Sequence, residues 1–466
     1  MDKSKNGEVK LANGSTADHS RATFHNVRSD KRNGLARVFE AKESSINRLL
    51  LGDHTFQAVY DVCAVHIVLF AAFKVLRDSL AAGRLTVELP LLYLAMGDFN
   101  LKGIVAFVLT ELLLLSLAVC VYPGFMAWKM IRTKFPTLPV DIGFLLVYVL
   151  GLVAALATVL WAVFTVPICP ALSFIVGVEQ VRLSMKTYSF VRETAKKILT
   201  PWNKDDTTGP AVYYAGQMEP QVGTIASYLY FLFAPTLLYR DRYPRNNGPI
   251  NWKNVIAYAA QAMHGDTMDF RHSTVVMSIL NSFAVGFVIL VLFNIGILHS
   301  WMNMHAELLR FADRQFYTDW WTANSYAVFY RKWNAIVHDW IHAYIFTDIK
   351  TLLGARGLGN IVPAFLSIAA SSIIHEYLLA IGLGFCMPYL SMFFGGAGVV
   401  LYLFNPCFLM KRVSNVFILV ATGMGMGIIT FGYLLEFMSR HYCPPEPLNS
   451  NFFFSSHFFH CYQMHN

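Results

Sequence analysis

The sequence predicts an all-α polytopic membrane protein, a helical bundle of about eight to nine spans, about seven of them clear. Three observations carry this. Hydrophobic residues make up 55% of the 466 positions and charged residues only 14%, where a soluble domain carries roughly 25% charge. Mean hydropathy is +0.45. Apolar runs recur along the chain, and crossing a bilayer takes roughly 20 such residues. The 37 Phe suit lipid-facing surfaces and interfacial belts.

The elements follow in order. Residues 1–35 are rich in Ser, Asn, Lys and Arg and poor in apolar side chains, which reads as disorder. With no apolar core near the start, no cleavable signal peptide is expected. Residues 36–54 read as an amphipathic helix at the membrane surface, so 1–50 form a cytosolic N-terminal region. Spans follow at 56–76, 101–127 and 140–168, the third ended by Pro167 and Pro170. Residues 171–198 read as a helix with mixed faces. A polar loop leads to a short aromatic segment, 223–239, and a basic turn carrying Arg240, Arg242 and Arg245.

Residues 251–264 look helical but are too short to span. A span at 273–301 is followed by a polar, Trp-rich interruption over 313–360. Three spans at 361–386, 388–410 and 413–437 complete a membrane domain of residues 51–437. Gly395, Gly396, Gly398 and the series Gly423, Gly425, Gly427 allow close helix packing. Residues 438–466 form a polar tail, expected to be lumenal. The net charge of +8 is read as topology charge on cytosolic flanks, able also to steer an anionic substrate, and not as a nucleic-acid surface.

The chemistry centres on His375, near the middle of an apolar run. A charged side chain at such depth costs ~2.5–3.5 kcal/mol, so the residue is expected to be buried and used. Ser371 and Ser372 share its helical face at i−4 and i−3, while Glu376 points about 100° away. Two readings stand: a Ser–His nucleophilic pair, or a lone imidazole acting as general base on a hydroxyl. Upstream, residues 316–321 read Phe-Tyr-Thr-Asp-Trp-Trp, either a binding segment or an interfacial belt. Asn334 and His338 fall at i and i+4, where an amide and an imidazole lining a cavity would hold a thioester, or make a structural hydrogen bond.

Together these motifs resemble the membrane-bound O-acyltransferases, and within them the sterol O-acyltransferase family. The resemblance covers residues 178–195 (VEQVRLSMKTYSFVRETA), 228–245 (YLYFLFAPTLLYRDRYPR), 308–321 (LLRFADRQFYTDWW), 330–340 (YRKWNAIVHDW), 371–380 (SSIIHEYLLA) and 440–444 (RHYCP). The first 50 residues lie outside it. It implies a multi-pass endoplasmic reticulum enzyme that transfers a fatty acyl group from acyl-CoA to the 3β-hydroxyl of a sterol, with no metal and no organic cofactor. The family's catalytic His matches His375 and its supporting Asn matches Asn334.

The acyl-CoA-associated segment falls on Phe316, Tyr317, Asp319, Trp320 and Trp321, with Tyr330, Trp333, His338 and Ser371 completing the expected substrate contacts. Arg240, Arg242 and Arg245 are read as the docking point for CoA phosphates. The resemblance also implies a disulfide between Cys443 and Cys461 in the tail. A homo-oligomer, either a dimer or a dimer of dimers, is expected in the lipid bilayer. Diacylglycerol acyltransferases share these motifs; the His-Asp-Trp ending, the basic turn and the Cys-bearing tail favour the sterol branch. Two departures stand out. Thr322 replaces the usual Asn, and the stretch after Gln261 looks shortened, which leaves a catalytically impaired lipid-binding homologue as an alternative.

Overall fold

Apolar length and a few helix-ending residues set the architecture seen in a computed structural model of the chain. The structure describes residues 37, 39–52, 57, 80, 100–199, 223–246, 248–263, 286–354, 359–403 and 411–442, all within the unit Ala36–Asn466. Among them there is helix and loop but no extended strand pairing beyond two isolated bridges, Lys42 with Asp313 and Arg245 with Phe311.

Helix α1 is Ser45–Gly52, α2 Leu101–Lys134, α3 Leu138–Thr165 and α4 Pro170–Leu199. Asn100 caps α2 by accepting from the Gly103 N–H at 2.6 Å, and Pro at the start of α4 loses no intrahelical bond. Then come α5 Ile225–Phe233, α6 Trp252–Met263 and α7 Gly286–Leu308. Short α8, Tyr326–Trp333, leads to α9, residues 335–353. Last are α10 Ile361–Leu383, α11 over residues 391–403 and α12 Lys411–Tyr442.

Five of these are long and apolar enough to cross a membrane: α2, α3, α7, α10 and, over Ser414–Arg440, α12. The expected span at 56–76, most of the stretch after Gln261 expected to be shortened, and Cys443 and Cys461 lie outside the described residues. Among the described residues of the expected surface helix over 36–54, only Ser45–Gly52 are helical. The backbone before it is extended and pairs with the 312–314 loop, Lys42 N–H donating to Ala312 O at 3.0 Å and Arg314 N–H to Lys42 O at 2.9 Å.

Helix α4 packs against α2, α3 and α10. Buried Phe125, Val159, Val176, Phe190, Tyr228 and Phe231 fill that side. Lys186 on α4 is buried and donates to the carbonyls of Phe231 and Ala234, both at 2.6 Å. Those carbonyls belong to the end of α5, which has no intrahelical donors left for them. On the other side α7 meets α12 so closely that a Cβ at Gly286 would lie 2.2 Å from Gly427 N and 2.5 Å from Gly423 O. The glycine series expected to permit close packing is therefore used by α7.

Three helices contain π-turns: Asn294–Trp301 in α7, His342–Phe346 in α9 and Ser391–Ala397 in α11. Such insertions are rare and concentrate at functional sites.

Candidate active site

His375 stands on α10. Its Nδ1 lies 2.7 Å from the carbonyl oxygen of Ser371. A carbonyl only accepts, so Nδ1 carries the proton and Nε2 keeps its lone pair. The ring sits 6.2 Å from Phe394 of α11, which in turn meets Tyr330 of α8 edge-on at 5.5 Å. The expectation of a buried imidazole is corrected: His375 is exposed. Apolar length fixes the depth of a residue in a bilayer, not whether a neighbouring helix covers it sideways.

The Ser–His pair does not form. Ser371 offers His375 only its backbone carbonyl. The Ser372 hydroxyl is buried, has no hydrogen-bond partner, and faces Gly395, where a Cβ would come within 2.9 Å of it. Glu376 turns away from His375, as its position on the helix requires. Its carboxylate accepts from the Ser391 N–H at 2.9 Å, the Ser391 hydroxyl at 3.0 Å and the Tyr433 hydroxyl. One carboxylate thus ties α10 to the start of the π-turn in α11 and to α12, and that π-turn carries Phe394 to the His375 ring.

The segment 316–321 is largely core. Phe316, Tyr317 and Trp320 are buried, Trp320 being 4% exposed. Trp320 meets Trp333 edge-on at 4.9 Å and Phe329 at 6.0 Å, while Phe329 stacks on Trp333 at 5.7 Å. Trp321 is partly buried and packs on the same cluster. Its carbonyl and that of Ala323 each accept from the Asn415 amide of α12 at 2.8 Å. A purely interfacial role is excluded for Trp320 by that burial.

Asp319 accepts from Lys332 at 2.9 Å and from the Thr322 hydroxyl at 2.8 Å. Partial burial raises its pKa, but the Lys332 and Thr322 hydrogen bonds outweigh that and hold it below the usual 3.8. The hydroxyl at position 322 therefore has a defined local role: it locks the turn after the double Trp.

Asn334 is not a helical residue, which corrects the reading that it shares a helical face with His338. The chain breaks there, with φ −137° and ψ 85°, and its side-chain oxygen accepts from the Val337 N–H at 3.2 Å as the N-cap of α9. Asn is a strong capping residue because its short amide reaches back to the first turn, a competing local use that spacing alone does not reveal. No hydrogen bond joins Asn334 to His375. Helix α9 nonetheless packs against α10, the helix of His375. His338 stacks on His342 at 5.9 Å and lies 3.4 Å from Asp339.

The basic turn is only partly free. Arg240 lies 3.5 Å from Glu193, and Arg245 sits over the Tyr230 ring at 4.1 Å. Arg242 is exposed.

Sequence reasoning missed His299, which lies in an apolar span just as His375 does; the rule that flagged one flags both. It is buried in the α7 π-turn, with Nδ1 2.8 Å from the Tyr317 hydroxyl, and Asn303 bonds its carbonyl at 2.7 Å. Arg37 was also missed. It donates to Asp313 at 2.7 Å, to the Gln315 carbonyl at 2.8 Å and to Asp339 at 3.1 Å. No local signal reports partners 276 and 302 positions apart.

Comparison with known proteins places these features in context. Residues 217–435 match the model of MBOAT, the membrane-bound O-acyltransferase family. The chain is 31% identical over 431 residues to sterol O-acyltransferase 1 of Macaca fascicularis, covering 88% of this chain and 74% of that protein. It is 30% identical over 438 residues to sterol O-acyltransferase 2 of Rattus norvegicus, covering 89% and 79%. It is 30% identical over 436 residues to sterol O-acyltransferase 2 of Homo sapiens, covering 88% and 78%.

Proposed function

The chain belongs to the sterol O-acyltransferase family of membrane-bound O-acyltransferases, and we propose that it transfers a long-chain fatty acyl group from acyl-CoA to the 3β-hydroxyl of a sterol. It is an acyl-CoA-dependent O-acyltransferase. The observation that carries the mechanism is the Nδ1–H bond from His375 to the Ser371 carbonyl, which leaves Nε2 as the basic atom.

In this reading Nε2 takes the hydroxyl proton as the sterol oxygen attacks the thioester carbon. The C–S bond breaks, and the imidazolium returns the proton to the CoA sulfur. The thioester is already activated, so the reaction calls on no metal or organic cofactor. A base that two substrates must reach has to be open on one side, and the exposure of His375 fits that need.

The same reading places the enzyme in the endoplasmic reticulum membrane as a homo-oligomer, with Cys443 and Cys461 disulfide-bonded in a lumenal tail. It assigns Arg242 of the basic turn to the CoA phosphates, with Arg240 and Arg245 beside it.

The test is incorporation of radiolabelled oleoyl-CoA in membranes lacking endogenous sterol acyltransferase, with cholesterol and diacylglycerol compared as acceptors. Steryl ester is expected, and His375→Ala is expected to reduce it by about 10²–10⁴-fold. Triacylglycerol as the main product would move the enzyme to the diacylglycerol branch. Binding of acyl-CoA without any product would make it an impaired homologue.

A further inference from the structure

The extended segment before α1 crosses the region that matches the acyl-CoA-associated motif. Lys42 pairs with the 312–314 backbone, and Phe39 packs edge-on against Tyr243 at 5.2 Å. Asn47 bonds the Tyr258 hydroxyl at 2.8 Å, and Ile46 is in the core beside Tyr317 and Trp320. Arg37 is the outermost tie. One arm of its guanidinium holds Asp313 and the Gln315 carbonyl; the other holds Asp339.

Asp313 and Gln315 lead directly into the 316–321 segment, and Asp339 lies on α9, one residue beyond His338. Away from Arg37, this segment is joined to α8 and the α8–α9 connection by two backbone bonds, Ala335 N–H to Phe316 O and Thr318 N–H to Lys332 O, both at 2.9 Å, and by the Lys332–Asp319 ion pair. The Arg37 fork ties the start of the segment to α9 itself, beside the Lys332–Asp319 ion pair that ties its end to α8. Arg37, Asp313, Phe316, Ile336 and Asp339 line one small cleft. The Asp313 side chain is only 3% exposed. Without Arg37 the buried Asp313 carboxylate would lose its cation beside the like charge of the part-exposed Asp339.

We propose that Arg37 is a positioning residue of the acyl-donor site: it sets the spacing between the 316–321 segment and helix α9, so the N-terminal strap is part of the enzyme's acyl-CoA machinery. This rests on the acyl-CoA-dependent reading given above. It assigns a role in the reaction to a residue outside the 217–435 range that matches the family model. A planar fork is needed because the two carboxylates are reached by different guanidinium nitrogens; a lysine ammonium is a single point charge and holds one carboxylate at a time.

The experiment uses the full chain in membranes, with oleoyl-CoA and cholesterol varied separately. Binding of a non-hydrolysable oleoyl-CoA thioether is measured alongside, as is thermal stability in detergent. Arg37→Gln is expected to raise the acyl-CoA KM by roughly 10–100-fold, the size of effect a displaced positioning group produces, while cholesterol dependence stays within about twofold. Arg37→Lys should fall between Gln and wild type.

Arg37→Gln combined with Asp339→Asn removes one of the two carboxylates and with it their mutual repulsion, and should recover part of the lost acyl-CoA affinity. A merely structural arginine gives the opposite result, because the second change then adds to the damage. Unchanged acyl-CoA KM and thioether binding in Arg37→Gln overturn the proposal, as does a double variant no better than the single one. Should Arg37→Gln fail to accumulate, Arg37→Lys carries the test on the same readouts, and an acyl-CoA KM equal to wild type overturns it. If wild-type chain makes no ester, the thioether arm still decides: weaker binding in the variant supports the role of Arg37, and no binding by wild type sinks it together with the acyl-CoA reading.

Discussion

Glu376→Ala should damage the site without touching the base. The Glu376 carboxylate is the acceptor for three donors: the Ser391 N–H, the Ser391 hydroxyl and the Tyr433 hydroxyl. It is 7% exposed, so water does not replace it freely. A hydrogen bond to a charged group is worth about 1.5–3 kcal/mol, and a buried donor left without a partner costs about 1–3 kcal/mol. The Tyr433 hydroxyl has an alternative acceptor in the Met387 carbonyl at 3.0 Å, but the Ser391 N–H sits at a helix start with none.

Because the three bonds share one carboxylate they are not additive, and a net loss of about 3–5 kcal/mol follows. Glu376→Gln should cost far less. Its carbonyl oxygen can still accept from Ser391, and its amide can donate to a Tyr433 hydroxyl that then donates to Met387. The assays are thermal unfolding in detergent and the kcat for steryl ester formation. Stability should rank wild type close to Gln and well above Ala, with kcat following, because the π-turn carrying Phe394 is fastened through this carboxylate. An Ala variant as stable and active as wild type would refute the reasoning, and so would a Gln variant as damaged as Ala.

Asn334→Ala removes the α9 cap and should cost about 0.5–2 kcal/mol, while Asn334→Ser keeps a capping oxygen. If the Ser variant restores stability but not turnover, as measured by paired melting and kcat assays, Asn334 does more than cap. Asp319 has its pKa lowered in the fold, so its contribution is present above the unfolded pKa and lost as pH falls through the folded value, under acid conditions below 3.8. Lys332→Gln removes the main stabilising partner and should shift that acid loss to higher pH in a pH-dependent melting series; an unmoved profile would discard the Asp319–Lys332 latch.

How far the fold was legible follows from the physics of each segment. The starts of α2, α3 and α4 come within two residues of expectation because Asn100, Pro139 and Pro170 act locally on the backbone, while α2 runs on to Lys134, past the expected end at 127. The segments that match the family could be picked out in order, and His375 by its depth in an apolar run. What local signals could not supply was pairing over long separations: Arg37 with Asp313 and Asp339, Glu376 with Tyr433, Asn415 with the Trp321 carbonyl. Asn334 was misread for a different reason. An Asn can serve a helix start or a helix face, and the four-residue spacing to His338 is the same in both.

The π-turns set a further limit on what the sequence reports. Face assignments from sequence assume a fixed step of about 100° per residue, and one inserted residue rotates everything beyond it by about that amount. In α7 the insertion spans 294–301 and turns His299 inward to the Tyr317 hydroxyl. In α9 it spans 342–346 and brings the Tyr344 hydroxyl to Glu193 and Ser189, each at 2.8 Å. In α11 it spans 391–397 and presents Phe394 to His375 while Gly395 clears Ser372. In each case the side chain that a regular helix would misplace is the one that joins a motif segment to its neighbour. The apolar pattern reports that these helices exist, while the irregular turns decide which of their residues meet the neighbouring segments.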